Sequence, residues 1–269
     1  MNRHGPIAGL FCMLLTSAAP AVAEDLSKYF AGLHGTFVLY DAQRHSYIRH
    51  NAARAAERFH PCSTYKIPNS LIAVETGVAT DANFLIPYDA RRDPQQPGWL
   101  LDWPRDHTLR SAFKYSVVWY YQEIARRTGR DRMERYVRQF QYGNQDISGA
   151  IDQFWLTGPL RISADEQVAF LQRLYEGKLG LAPRTTDIVK DIMVADQGPG
   201  WKLSAKTGAC GTDDVPVVWY VGFVEKNGGL YYFALNLGGS PISQLAPLRI
   251  TKTREILNGL GIIPAPESR

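Results

Sequence analysis

Alternating apolar and polar residues open the folded part of the chain: Gly35 to Asp41 and Ser46 to His50 read as two strands joined by a short polar turn. Near the other end, Trp219 to Val224 is apolar at both alternating positions, the pattern of a strand covered on both sides. Asn227-Gly228-Gly229 supplies a turn, and Leu230 to Leu237 returns as the partner strand. Between these ends the period changes to that of helices. They are expected over Ser111 to Thr128, Asp131 to Phe140, Ala164 to Tyr175 and Thr185 to Val194, with a last one near Ile250 to Leu260. Val168, Leu171, Leu174 and Tyr175 fall on one face of the third of these, a buried stripe. The pattern predicts an α/β (α+β) unit in which N- and C-terminal strands form one sheet and the chain between them forms a helical lobe. A cleft between two such lobes is a natural place for a site.

Composition narrows the class. The chain has 269 residues, 45% hydrophobic and 21% charged, an ordinary globular profile that excludes disordered and fibrous classes. There are no internal repeats or linker-like stretches, so residues 24–269 are expected to form one catalytic domain. The first residues differ. Arg3 precedes an apolar run from Ile7 to Ala18, and Ala21-Val22-Ala23 places small residues where a signal peptidase cuts, so residues 1–23 read as a signal peptide. The run is too short for a permanent membrane anchor, and Leu10-Phe11 before Cys12 argue against lipidation. The mature protein is therefore expected to be secreted to the periplasm.

The formal net charge is +4. Its bases are interspersed with acids, which excludes a nucleic-acid partner. The six histidines show no metal-ligand spacing, so no metal is expected. Export leaves Cys62 and Cys210, an even pair compatible with one disulfide or with two buried thiols. A homodimer is left open.

The chemistry concentrates in four short segments. In Ser63-Thr64-Tyr65-Lys66, a helix beginning near Ser63 puts a hydroxyl and an amine three residues apart on one face, where the amine can take the proton that makes serine nucleophilic. Alone, such a pair is usually a solvated surface pair. Ser116-Val117-Val118 lies inside an expected helix, Tyr142-Gly143-Asn144 in a loop, and Lys206-Thr207-Gly208 after the strand-like Trp201 to Ala205. Each is unremarkable in isolation.

Together and in this order the four resemble the signature of the penicillin-recognising serine enzymes, and in their spelling the class D (oxacillinase-type) β-lactamases. Asp152-Gln153-Phe154-Trp155-Leu156, Arg161-Ile162-Ser163-Ala164 and Pro247-Leu248-Arg249 extend the likeness over nearly the whole mature chain. The resemblance implies an antiparallel sheet flanked by helices, with the site in the cleft. It implies that Ser63 attacks the lactam carbonyl while the backbone N–H groups of Ser63 and Ala209 hold the oxyanion. It also implies that Lys66, carboxylated by carbon dioxide, is the base for acylation and deacylation. No other cofactor is expected.

A lysine with a pKa of about 10.4 is protonated at neutral pH, and bringing it near neutrality costs roughly 4 kcal/mol, within reach of a dry pocket. Val118, Trp155 and Leu156 are the expected lining, with the Trp155 indole N–H as the donor to the carbamate. Ser116 would relay a proton to the lactam nitrogen with help from Lys206. Lys206, Thr207, Gly208 and Arg249 would bind the substrate carboxylate.

Tyr65 stands where the family has phenylalanine and reads as a tolerated aromatic swap, although a hydroxyl near the nucleophile could adjust water access; the residue is placed with the substrate-binding group. With turn and strand facing each other as in the family, Cys62 and Cys210 are expected to pair across the cleft. The acids of Gly211 to Pro216 are expected to border the pocket. Two other readings stand beside hydrolysis: a sensing domain that stays acylated, and a penicillin-binding carboxypeptidase. His60 is a poor alternative base, because no orienting acid is evident.

Overall fold

The computed structural model describes Met1 and residues 24–93, 101–211 and 216–265. The leader expected at residues 1–23 and the acids Asp213 and Asp214 lie outside the described residues. Six strands form one antiparallel sheet in the order β2-β1-β8-β7-β6-β5. They are β1 (His34–Asp41), β2 (Ser46–His50), β5 (Val194–Gly198), β6 (Trp201–Cys210), β7 (Val217–Lys226) and β8 (Gly229–Gly238). A small ribbon pairs β3 (Leu85–Ile86) with β4 (His107–Thr108). The first two strands of the chain thus join its last four, as the apolar pattern predicts.

The helices are α1 (Ala52–Ala56), α2 (Lys66–Glu75), α3 (Leu109–Lys114), α4 (Val118–Thr128), α5 (Arg130–Gln139), α6 (Ala164–Tyr175), α7 (Pro183–Ile192) and α8 (Ile242–Gly259). Side chains alternate across the sheet because successive Cβ atoms point to opposite faces. Val38, Trp219, Val221 and Ala234 face a core shared with α2, α4 and α6, whereas Phe37, Leu39, Val218 and Leu235 face a second core closed by Leu245, Ile256 and Leu257 of α8. Gly222 is required at the β6–β7 contact, since a Cβ there would collide with the carbonyl of Ser204.

Three expected helices need correction. Ser111 to Thr128 is two helices, because the chain turns at Tyr115-Ser116-Val117 with Ser116 in the left-handed region at φ 58°. The helix expected to reach Val194 ends at Ile192, and Val194 begins β5. The last helix starts at Ile242 rather than near Ile250 and contains Pro247. A proline removes one backbone donor and normally marks a boundary; here the apolar face continued by Leu245 outweighs that loss.

Candidate active site

Sequence places Ser63 and Lys66 three apart, and local geometry makes them meet. Cys62–Tyr65 is a 3-10 turn leading directly into α2, and residues three apart eclipse on such a turn. Lys66 Nζ accordingly lies 2.8 Å from Ser63 Oγ. Several bonds anchor the turn: the Cys62 N–H donates to the Trp155 carbonyl (3.1 Å), Trp219 Nε1 donates to the His60 carbonyl (2.9 Å), and Gln167 Nε2 donates to Thr64 Oγ1 (2.8 Å). Cys62 itself is left-handed at φ 52°, a conformation that a residue with a Cβ holds only when its surroundings impose it.

Lys66 has no solvent exposure and sits 5.4 Å from the centre of the Tyr121 ring. Burial, reinforced by the charge of Lys206, holds its ammonium well below the usual lysine range. Burial thus shifts this nitrogen toward the uncharged form, the form that can accept the proton of the Ser63 hydroxyl. Trp155 is also fully buried; its ring stacks on Tyr65 at 5.4 Å, and its indole N–H has no acceptor among the described residues. Val118 is the first residue of α4 and is half-buried. Leu156, also half-buried, lines a separate cavity of about 470 Å³ with Phe59, His60 and Val217.

On the other wall, β5 pairs only with Trp201 to Ser204 of β6. Lys206 to Cys210 therefore form an open edge over the cleft among the described residues. The motif is in a strand, as expected, but the strand extends five residues beyond Ala205. Lys206 is buried, and its Nζ donates to Ser116 Oγ (3.0 Å) and to the Thr207 carbonyl (3.1 Å). Burial, followed by the charge of Arg249, brings its pKa down to about 7. Arg249 lies in the middle of α8, not at its start, and its Nη1 donates to the Gly208 carbonyl (3.2 Å). Its Nε is buried with no acceptor among the described residues, and burial lowers the pKa of the guanidinium. The charge of Arg249 thus depresses the pKa of Lys206, and the charge of Lys206 that of Lys66. A cavity of about 720 Å³ lies beside the start of this edge, between it and the 191–197 segment; Lys206 and Thr207 line it, whereas Ser63, Lys66, Ser116 and Arg249 do not.

Tyr65 does not line the cleft. Its side chain is wholly buried among Tyr142, Phe154 and Trp155, and its hydroxyl donates to Met133 Sδ at 3.1 Å. Successive side chains on the turn diverge, so Ser63 and Lys66 at the site send Tyr65 into the core. The expectation that it contacts substrate or adjusts water access is overturned.

Tyr142-Gly143-Asn144 is structural. A Cβ on Gly143 would strike the carbonyl of Arg161, and Asn144 exchanges hydrogen bonds with the Arg161 backbone and donates to the Pro159 carbonyl, clipping the loop that carries Trp155. His60 is engaged with the carbonyl of Gly158 at 3.1 Å. Tyr121 and Gln167, which pack or anchor the nucleophile turn, were not legible as functional residues, because both read as members of a buried helical face.

A family model for the penicillin-binding protein transpeptidase domain matches residues 35–255. The chain is 40% identical to β-lactamase OXA-10 of Pseudomonas aeruginosa, the match covering 94% of this chain and 95% of that protein. It is 41% identical to β-lactamase OXA-48 of Klebsiella pneumoniae, over 96% and 98%. The crystal structure of the class D β-lactamase YbXI from Nostoc superposes with a TM-score of 0.84 at 38% identity, covering 89% of this chain and 99% of that one. The chain belongs to the class D serine β-lactamases. Its sheet and helical lobe are those of the penicillin-recognising serine enzymes.

In this β-lactamase Thr207, Lys206 and Arg249 are the groups expected to bind the substrate carboxylate. Removing the guanidinium in Arg249→Ala is expected to lower kcat/KM for a penicillin by about 10- to 100-fold, the range for a lost charge-assisted hydrogen bond. The loss should fall mainly in KM, because the carboxylate is present in substrate and transition state alike. Steady-state kinetics showing an unchanged KM would remove Arg249 from that role.

Proposed function

We propose that this protein hydrolyses the β-lactam ring of penicillin-type antibiotics in the periplasm and so protects its host from them. Ser63 Oγ attacks the lactam carbonyl carbon as its proton passes to the Lys66 side chain; the carbonyl oxygen takes up negative charge between the N–H groups of Ser63 and Ala209. The carbon–nitrogen bond then breaks, and the nitrogen receives through Ser116, which Lys206 polarises, the proton that the Lys66 side chain took up, leaving that side chain free again as a base. Water deprotonated at Lys66 cleaves the resulting ester, releasing the opened acid and restoring the Ser63 hydroxyl.

One observation carries this reading: a fully buried amine 2.8 Å from the nucleophile, whose pKa burial lowers well below the usual lysine range. We further propose that Lys66 reacts with carbon dioxide, for only an uncharged amine can do so. The Nζ-carboxylate so formed supplies a stronger base with its own acceptor oxygens. The residues present fit it, since the indole N–H of Trp155 is a buried donor with no acceptor among the described residues. No other cofactor is invoked.

The test is hydrolysis of a penicillin by the mature enzyme with and without added bicarbonate. Continuous turnover that bicarbonate accelerates is expected; a single stoichiometric burst would instead assign a sensing role. Removing the indole donor in Trp155→Phe should raise the bicarbonate needed for half-maximal activity by about 10-fold or more, the worth of one hydrogen bond to a charged group. Acid should discharge the modified lysine by protonating its nitrogen, so added bicarbonate should also move the acid limb of the activity profile to lower pH.

A further inference from the structure

Cys62 and Cys210 form a disulfide, with Cα atoms 5.6 Å apart and 148 residues between them in sequence. Its two ends adjoin the two amides assigned to the oxyanion: Cys62 immediately precedes Ser63, and Cys210 immediately follows Ala209. These amides come from different elements, the nucleophile turn and β6, so no single element's regularity fixes their separation. The β6 edge carrying Ala209 also lacks support on its outer side, because β5 ends its pairing at Ser204.

What meets that edge is the nucleophile turn. A Cβ on Gly208 would stand 3.1 Å from the Pro61 carbonyl oxygen and 3.1 Å from Thr64 Cγ2. A side chain there would already be closer than ordinary van der Waals contact, so strand and turn approach without a spacer. The bridge makes this contact covalent one residue from each donor. It also fixes Cys62 in its left-handed conformation at φ 52°, and the direction of the next N–H, that of Ser63, depends on that conformation.

From this placement we infer that the Cys62–Cys210 disulfide is a positioning element for the oxyanion site: it sets the separation and aim of the Ser63 and Ala209 amides. The inference rests on the assignment of those amides under the proposed function. Reduction, with a phosphine or dithiol supplying two electrons and two protons, opens the bond to two thiols and releases the strand from the turn. The consequence is a lower rate of acyl transfer, with the Lys66 site and substrate binding left as they were. The enzyme would accordingly reach full activity only after oxidation outside the cytoplasm.

The test compares wild-type mature enzyme with Cys62→Ala/Cys210→Ala and with prefolded wild type reduced by a phosphine and then reoxidised, all well below their melting temperatures. Three quantities are read: the acylation rate constant for a penicillin, the affinity for a boronic acid whose tetrahedral Ser63 adduct puts an oxygen between the amides, and the half-saturating bicarbonate concentration. Removing one oxyanion donor outright costs about 100- to 1000-fold. Loosening two is expected to lower acylation and boronate affinity in parallel by about tenfold or more, with the bicarbonate requirement unchanged and reoxidation restoring both losses.

A merely structural disulfide would lower the melting temperature yet leave acylation and boronate affinity within about twofold of wild type, and that result overturns the inference. If the double variant does not fold, loss and return of acylation with the thiol count of the reduced and reoxidised wild type decides. A wild type that binds no boronate would instead refute the oxyanion assignment itself.

Discussion

Lys66→Ala is expected to lower penicillin turnover by about 1000- to 10,000-fold, the upper part of the range for a positioned general base. The amine lies 2.8 Å from Ser63 Oγ, and the described residues offer no substitute: Lys206 is bonded to Ser116 and Thr207, and His60 is held by the carbonyl of Gly158. The proposed role of the same side chain in both halves of the reaction predicts that whatever acyl-enzyme forms persists. Mass spectrometry after prolonged exposure to a penicillin should find the adduct on the Lys66→Ala protein and free enzyme in the wild type. Full deacylation by the variant would refute the assignment.

The same substitution carries a stability signature whose sign follows from the lowered pKa. Between the folded-state pKa of Lys66 and about 10.4, the unfolded chain binds a proton at this residue that the folded protein does not. Wild-type stability, measured against Lys66→Ala, should therefore rise with pH through that window and fall back as pH drops toward the folded value. Denaturant midpoints of the two proteins from neutral pH to pH 10 read this directly.

Ser116→Ala is expected to lower acylation by about 100- to 1000-fold, the range of one proton relay. Ser116 sits at the break between α3 and α4, with its hydroxyl 3.0 Å from Lys206 Nζ and its backbone at φ 58°. Those two features separate by substitution. Glycine adopts the left-handed conformation readily and alanine does not, whereas neither carries a hydroxyl. If the relay is the function of Ser116, then Ser116→Gly and Ser116→Ala lose acylation alike, although the glycine variant is the more stable. Recovery of acylation in Ser116→Gly would show that the position serves the turn and not proton transfer.

The break at Ser116 also marks where the sequence stopped being readable. Val117 and the residues around it continue a helical apolar period, and a left-handed serine leaves no trace in such a pattern. Strands β1, β2, β7 and β8 and helix α6 were legible because alternation and the Val168, Leu171, Leu174 face follow directly from which side of an element is buried, whereas β3, β4 and β5 were not read from the sequence. The boundary of α7 was missed because Val194 suits a helix end and a strand start equally well. In α8, Pro247 masked two turns of helix that packing on the sheet stabilises.

Within the site, the partners Ser63, Lys66, Ser116, Lys206 and Arg249 were named from motifs, and the structure brings Ser63 to Lys66 and Ser116 to Lys206 within hydrogen-bond distance. Tyr65 misled for a physical reason. Motif membership says nothing about direction, and on a tight turn the residue between two site residues points elsewhere. The buried, unpaired indole N–H of Trp155 and the Arg249 Nε likewise belong to three-dimensional packing, which no spacing rule encodes.

A carbon-13 NMR spectrum of the mature enzyme in labelled bicarbonate near neutral pH probes the lysine nitrogen most directly. One protein-bound carbamate resonance is predicted in the wild type, absent from Lys66→Ala and fading together with activity as the solution is acidified. A fully active wild-type enzyme with no such resonance would contradict the account.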